Sequence, residues 1–355
     1  MLLRAPDFSS AIRPLGRCRA DGELLWFNWS CSGFALRFCG KSLRAKLIAV
    51  EQDMTAPFEH EPIMMRPVVG ITADGGEMRR VKLENGEQWL ELFSGGDGEH
   101  CLTLRKLSEN VMGKCALAEL KTDGEFLPPP EAPPLRIEFI GDSITCGYGN
   151  ESEAPGLRTE HENGAAAYGF LAAEMLGADY SAISVSGCGV PESIHPGLGD
   201  RGMLNLFPFT DAPLDRMLGR EAEKWDFAAH PCAAAVLNLG TNDSAELAMQ
   251  DFTPEALERF KNAYRSLLED MRRRYGPEAW LICVLGPMDY YLWDEIRDIV
   301  SSFAEGSGDS RIAWAKLGRQ DAMKEGLGSD GHPSAAAHRR MAAELCRIIK
   351  ENTDL

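Results

Sequence analysis

The sequence predicts two domains of different fold class, an all-β domain followed by an α/β domain with a parallel sheet. Three observations support this prediction. Up to about residue 125, short runs alternate apolar and polar residues; beyond residue 134, short apolar runs alternate with stretches of helical period; and a proline-rich stretch separates the two patterns. The length of 355 residues also exceeds the roughly 250 to 300 residues at which single cores stop growing.

The first domain, residues 1–125, is predicted to be a sandwich of jelly-roll type. Turn signals at Asp74-Gly75-Gly76 and Gly95-Gly96-Asp97-Gly98 break its alternating runs, and no helical period lies between them. Strands at this spacing are typical of all-β sandwiches. The predicted strands are residues 24–29, 33–38, 43–50, 77–83, 88–93 and 101–107.

Residues 126–134 are predicted to be a linker, because they contain five prolines in nine residues. Proline cannot donate to a sheet or continue a helix interior, and it favours extended backbone.

The second domain, residues 135–355, is predicted to hold a parallel sheet covered by helices on both faces. One helix is expected over residues 253–275, capped by Thr253, and another from Pro333 past Ile349. The ends of the strands matter most, because active sites of such sheets lie at the carboxyl edge. The predicted strands are residues 135–140, 180–185, 234–239, 280–285 and 312–317.

Polar residues with catalytic potential follow the first three of these strands. Ser143, in Gly141-Asp142-Ser143, is placed to act as a nucleophile, although the tripeptide is also compatible with a plain turn and helix cap. Gly187 and Asn242 follow the second and third strands. With the amide of Ser143 they could supply three donors to an oxyanion.

A histidine near the C-terminus is expected to complete the site. His332 precedes the helix that is predicted to begin at Pro333, so its imidazole could accept the proton of Ser143, and Asp330 could fix the tautomer. Alone, Asp-Gly-His-Pro is also compatible with a capping turn that carries a surface histidine. His338 lies within the helix and is predicted to be at the surface.

Taken together, Gly-Asp-Ser, Ser-Gly-x-Gly, Gly-Thr-Asn-Asp and Asp-Gly-His-Pro resemble the four sequence blocks of the SGNH (GDSL-type) hydrolase superfamily. The resemblance covers residues 135–355. It implies a flavodoxin-like domain, a Ser143 nucleophile, a His332 base and an oxyanion hole formed by Ser143, Gly187 and Asn242.

The last block departs from the superfamily pattern. The usual Asp lies three residues before His, whereas position 329 is Ser and Asp330 lies two before. This spacing is similar to that of the second family of carbohydrate esterases, which also joins a jelly-roll domain to an SGNH domain. In that group some members orient the histidine with a backbone carbonyl, so either this or Asp330 fits the sequence.

The resemblance implies a carboxylic ester hydrolase, an acetylesterase acting on acetylated xylo- or manno-oligosaccharide. Tyr290, Tyr291 and Trp293 follow the fourth strand and could stack on a sugar, or could pack the next helix onto the sheet. Two other functions stay open. One is a lipase or thioesterase acting on longer acyl chains, and the other is a catalytically idle carbohydrate-binding protein.

The composition limits the partners. A net charge of -17 disfavours nucleic acid and anionic membranes and is compatible with a neutral sugar ester. The residue spacing predicts neither a metal site nor a cofactor.

The ten cysteines are predicted to be free thiols. Without an N-terminal signal the expected location is the cytoplasm, or outside the cell if a signal was removed. The oligomeric state is not predicted.

Overall fold

The computed structural model describes residues 1–5, 7–54, 62–193 and 202–355. The chain divides into two compact units. The first comprises Met1–Ala132 and Arg158–Glu162, and the second comprises Pro133–Leu157 and Asn163–Leu355. The change at Ala132 and Pro133 falls within the proline-rich stretch. The sequence carried no signal that Arg158–Glu162 would group with the first unit.

The first unit is built on a large antiparallel sheet with the strand path β3-β4-β11-β5-β10-β8-β9, to which β1, β2 and β12 add at the sides. The strands β6 and β7 form a separate pair. The strands are β1 Leu2–Arg4, β2 Ile12–Leu15, β3 Arg19–Asp21, β4 Leu24–Trp26, β5 Gly33–Val50, β6 Gln52–Asp53, β7 Met64–Met65, β8 Val68–Ala73, β9 Arg79–Lys82, β10 Gly86–Lys106, β11 Lys114–Thr122 and β12 Glu125–Leu127.

Two of these strands are longer than the sequence predicted. The runs 33–38 and 43–50 form the single strand β5, and the runs 88–93 and 101–107 fall in β10. The predicted turn at Gly95-Gly96-Asp97-Gly98 is wrong, because the register with β5 shifts between Ser94 and Gly98 and the strand continues through an irregularity. The predicted linker 126–134 is also too long, since Phe126 and Leu127 belong to β12.

The core of the first unit is lined by alternate residues of the two long strands, as expected for sheets with one buried face. Phe34, Leu36 and Phe38 of β5 are fully buried, as are Leu102 and Leu104 of β10. An antiparallel β architecture is therefore confirmed, and the jelly-roll order of its connections stays a prediction.

The second unit has a parallel sheet in the order β14-β13-β15-β16-β17. In chain order this is 2-1-3-4-5, the arrangement of flavodoxin-like folds. The strands are β13 Arg136–Gly141, β14 Asp179–Ser184, β15 Ala234–Asn238, β16 Trp280–Leu285 and β17 Ile312–Lys316. The helices of the described residues are α1 Ser143–Cys146, α2 Tyr168–Met175, α3 Ala212–Met217, α4 Thr241–Met249, α5 Pro254–Tyr275, α6 Trp293–Ser307, α7 Ala322–Glu325 and α8 Ala335–Asn352.

The two predicted helices are present, with corrected starts. Thr253 precedes α5 but its side chain makes no capping hydrogen bond. The helix predicted from Pro333 begins at Ala335, because the Ser334 hydroxyl accepts the amide of Ala337 and caps it. The surface prediction for His338 is wrong: the side chain is fully buried, and its Nδ1 accepts the Tyr168 amide at 3.1 Å. Burial lowers the pKa of His338 to about 3.

None of the helices within the described ranges is long and apolar enough to cross a membrane. All ten cysteines are free thiols, as predicted, and six of them are buried.

Candidate active site

The first strand of the parallel sheet delivers Ser143 to the carboxyl edge. The strand β13 ends at Gly141, where an added Cβ would lie 2.0 Å from Thr145 Oγ1, so only glycine fits this exit. Asp142 then caps α1 by accepting the amide of Ile144 at 3.0 Å. Ser143 opens the helix and is 7% exposed, which leaves its hydroxyl shielded but accessible.

His332 contacts this hydroxyl directly. Its Nε2 lies 2.9 Å from Ser143 Oγ, and its Nδ1 lies 3.1 Å from the carbonyl oxygen of Ser329. A carbonyl can only accept, so Nδ1 carries the proton of the neutral ring and Nε2 presents a lone pair to Ser143. The imidazole is therefore in the tautomer that a general base requires.

Asp330 does not hold the histidine as the sequence suggested. Its Oδ2 accepts the hydroxyl of Tyr148 at 2.7 Å, and both carboxylate oxygens lie within 3.2 Å of the Gly156 amide. The left-handed backbone of Asp330, with φ of 52°, directs the side chain this way. The ring of Tyr148 packs against His332 with centroids 4.5 Å apart, so the Asp330 carboxylate reaches the base through Tyr148.

Asn242 joins two of the strand-end loops. It follows β15 as the second residue of α4, and its Nδ2 lies 3.1 Å from both Asp142 Oδ2 and the carbonyl oxygen of Cys188. Gly187, one residue before Cys188, adopts φ of 74° in the turn after β14. The amide of Asn242 therefore connects the Ser143 loop to the Gly187 loop.

Two buried carboxylates, Asp142 and Asp243, support these loops, and neither was predicted from the sequence to have a role in the site. Burial, with the nearby charges of Asp243 and Asp289, raises the pKa of Asp142 to about 7. Burial also raises the pKa of Asp243 to about 7, and Asp243 Oδ1 accepts the Val190 amide at 2.8 Å. The sequence did carry one signal for these two carboxylates, because each lies directly beside a predicted site residue, Ser143 or Asn242.

A cleft of about 430 Å³ opens at this edge of the sheet, within the range of ligand-binding clefts. Its lining includes Ser143, Asn242, Phe252, Asp289, Tyr291 and His332. Phe252 and Asp289 were not predicted from the sequence to lie in the site. Phe252 has φ of 48°, a costly backbone conformation for an aromatic residue that is typical of functional sites.

The three predicted aromatic residues separate in the structure. Tyr291 lines the cleft and is 78% exposed. Tyr290 and Trp293 instead both contact the Lys316 ammonium, whose nitrogen lies 5.3 and 5.2 Å from their ring centroids. The hydroxyl of Tyr290 also donates to the Leu317 carbonyl. The structure therefore places these two rings in the packing between α6 and β17.

Within the described parts of the chain, no group of three or more His, Cys, Asp and Glu side chains is arranged to bind a metal ion.

The 2-1-3-4-5 parallel sheet with a serine–histidine pair at its carboxyl edge defines a class of α/β proteins that includes many hydrolases. The chain belongs to the GDSL-like lipase/acylhydrolase family, whose model matches residues 139–340. Residues 15–130 match the family described as carbohydrate esterase 2 N-terminal. The predicted resemblance is thereby confirmed.

Individual relatives agree with this assignment. The chain is 32% identical over 288 residues to the cellulase/esterase CelE of Acetivibrio thermocellus, a match that covers 78% of this chain and 33% of that protein. It is 26% identical to an acetylxylan esterase / glucomannan deacetylase of Cellvibrio japonicus, covering 81% and 76% of the two chains. A solved structure of a family two carbohydrate esterase from Clostridium thermocellum in complex with cellohexaose has a TM-score of 0.81 and 27% identity, covering 96% and 98%. The chain thus spans about a third of the length of CelE.

The pKa of His332 gives a prediction for the pH dependence of activity. Burial lowers this pKa below 6.5, partly offset by the Ser329 carbonyl and the Asp330 charge. Because only the neutral ring accepts a proton, kcat/KM is expected to fall as the pH drops through this value, and the acid limb should be centred below pH 6.5. The measurement is kcat/KM for an acetate ester between about pH 4 and pH 8.

Asp142 is the matched control for this profile. Its pKa near 7 places a second titration close to that of His332. The Asp142→Asn variant removes that titration. An acid limb centred above pH 6.5 in this variant would contradict the assignment of His332 as the base.

Proposed function

We propose that the protein is a serine esterase that removes acetyl groups from acetylated xylo- or manno-oligosaccharides. The observation that carries the proposal is the 2.9 Å contact between Ser143 Oγ and an imidazole whose other nitrogen faces a carbonyl acceptor. The names of the relatives, among them an acetylxylan esterase / glucomannan deacetylase, support the acyl group and the class of alcohol.

The proposed reaction is a two-step acyl transfer. His332 Nε2 takes the proton from Ser143 Oγ as the oxygen attacks the ester carbonyl, and returns it to the departing sugar oxygen. Water then attacks the acetyl-serine with the same base, releasing acetate and restoring Ser143. Asp330 acts as a positioning residue in this scheme, because its carboxylate fixes Tyr148 against the imidazole rather than contacting it.

The amides of Ser143 and Gly187 and the side chain of Asn242 form the proposed oxyanion hole. The Asn242 amide has two hydrogens, which are directed to Asp142 and to the carbonyl oxygen of Cys188. In the proposed transition state one of them turns to the oxyanion and the other keeps the side chain in place.

Phe252 and Tyr291 form the proposed apolar walls for the sugar. Both are exposed large side chains that line the cleft, at 42% and 78% exposure. Aromatic rings with free faces suit the apolar face of a pyranose.

Acetate release from acetylated xylo- and manno-oligosaccharides tests the proposal. We expect hydrolysis of these substrates, and a higher kcat/KM for 4-nitrophenyl acetate than for the octanoate ester. Preference for octanoate would favour a lipase or thioesterase, and the absence of any ester hydrolysis would favour a binding protein. Activity on synthetic acetates alone would contradict the carbohydrate assignment.

A further inference from the structure

A carboxylate lines the cleft beside Ser143 and His332, and no step of the proposed acyl transfer uses it. Asp289 follows the end of β16 after the cis Gly286-Pro287 bond and is half-buried. It lies among the cleft residues together with Phe252 and Tyr291. Its place in the cleft and its charge therefore need a separate explanation.

The contacts of Asp289 use one of its two oxygens. Oδ1 accepts the Ser244 hydroxyl and the Tyr291 amide, each at 3.3 Å. Within the described part of the chain, Oδ2 accepts no hydrogen bond. A sugar hydroxyl that reaches Oδ2 would therefore donate to a charged acceptor, and hydrogen bonds to charged groups are stronger than those between neutral groups.

The two halves of the proposed substrate differ in what they can offer this oxygen. An acetyl group has no hydrogen-bond donor, whereas the sugar has several hydroxyl groups. A donor for Asp289 must therefore come from the alcohol side of the ester. The neighbouring rings of Phe252 and Tyr291 suit the apolar face of the same pyranose.

We propose that Asp289 accepts a hydrogen bond from a hydroxyl group of the sugar that carries the acetyl ester, and thereby selects carbohydrate alcohols over alcohols without further hydroxyl groups. This inference rests on the proposed function. The charge of Asp289 is part of the net charge of -17, and a negative charge in the cleft disfavours anionic sugars.

The test compares two acetate esters of six-membered rings, methyl β-xylopyranoside monoacetate and cyclohexyl acetate, which lacks ring hydroxyls. The Asp289→Asn variant keeps an oxygen for Ser244 and Tyr291 and replaces the second oxygen with an amide nitrogen. We expect kcat/KM for the xyloside acetate to fall by about 10- to 100-fold, and a loss of no more than about threefold on cyclohexyl acetate. Asp298→Asn, an exposed carboxylate on α6, is the matched control.

The outcomes separate the two proposals. A wild-type protein that hydrolyses neither ester, or only cyclohexyl acetate, would overturn the proposed function and this inference with it. Equal hydrolysis of both esters by the wild-type protein would overturn the inference alone. A wild-type preference for the xyloside acetate that persists in Asp289→Asn would overturn the role of Asp289 alone. Equal losses on both esters in the variant would also overturn that role, because they would show an effect on the acyl-transfer site rather than on the sugar.

Discussion

Replacing Ser143 with alanine is expected to lower kcat for acetate release by about 10⁵-fold. The variant removes only the hydroxyl group. Among the described residues, no other side chain contacts His332 Nε2, so none could accept the acetyl group instead of Ser143. Some residual rate is expected, because the oxyanion donors and the binding cleft remain. The measurement is steady-state acetate release from an acetylated xylo-oligosaccharide.

Ser302→Ala is the matched control for this variant. Ser302 is an exposed residue of α6 and should keep wild-type activity. Both variants should melt at the wild-type temperature, because Ser143 contributes one partly shielded hydroxyl. A loss of less than about tenfold in Ser143→Ala would mean that another nucleophile carries the reaction.

Replacing His332 with alanine is expected to lower kcat by about 10⁴- to 10⁵-fold, whereas Asp330→Asn should lower it by less than about tenfold. The difference follows from the contacts: the imidazole touches Ser143, while the Asp330 carboxylate touches Tyr148 and Gly156. Asparagine tolerates the left-handed backbone of position 330 and keeps an acceptor for Tyr148, so this variant removes charge with little strain.

The double variant Ser143→Ala, His332→Ala provides a further control. Residues that act as one unit lose little more together than singly, so its kcat should match that of either single variant. A loss of about 10⁴-fold in Asp330→Asn would contradict the carbonyl-oriented histidine, because that is the loss expected when the acid of a triad is removed.

The pairing of Ser143 with His332 was predictable because short stretches of the sequence show where each strand ends and which motif follows it. Each candidate residue follows a short apolar run directly, and parallel strands bring their carboxyl ends to the same edge. The same argument located Asn242, which the structure places between the Ser143 and Gly187 loops.

The partner of the histidine was not predictable from spacing. Asp330 lies two residues before His332, close enough to reach Nδ1 in sequence terms, but its backbone adopts φ of 52° and turns the side chain to Tyr148. Sequence distance does not encode this rotation. The Ser329 carbonyl that takes its place is a backbone atom, which every residue type supplies.

The remaining differences between the predicted and observed positions of side chains arise from packing between residues that are far apart in the sequence. Tyr290 and Trp293 pack around Lys316 of β17, a residue more than twenty positions away, so their removal from the cleft has no local signal. His338 is buried because its face of α8 packs against α2, where Tyr168 donates to it. Phe252 lines the cleft from a loop in which its backbone has a positive φ, a conformation that aromatic residues rarely adopt and that the sequence therefore does not predict.

The most direct test of the central claim is to identify the residue that forms a covalent bond with an ester-like reagent. The protein is treated with diethyl 4-nitrophenyl phosphate, with and without acetylated xylo-oligosaccharide as a competitor, and the modified peptide is mapped by mass spectrometry. We expect one adduct, on Ser143, that forms more slowly when the oligosaccharide is present and is absent in His332→Ala. An adduct on another residue, or undiminished acetate release by fully modified protein, would contradict it.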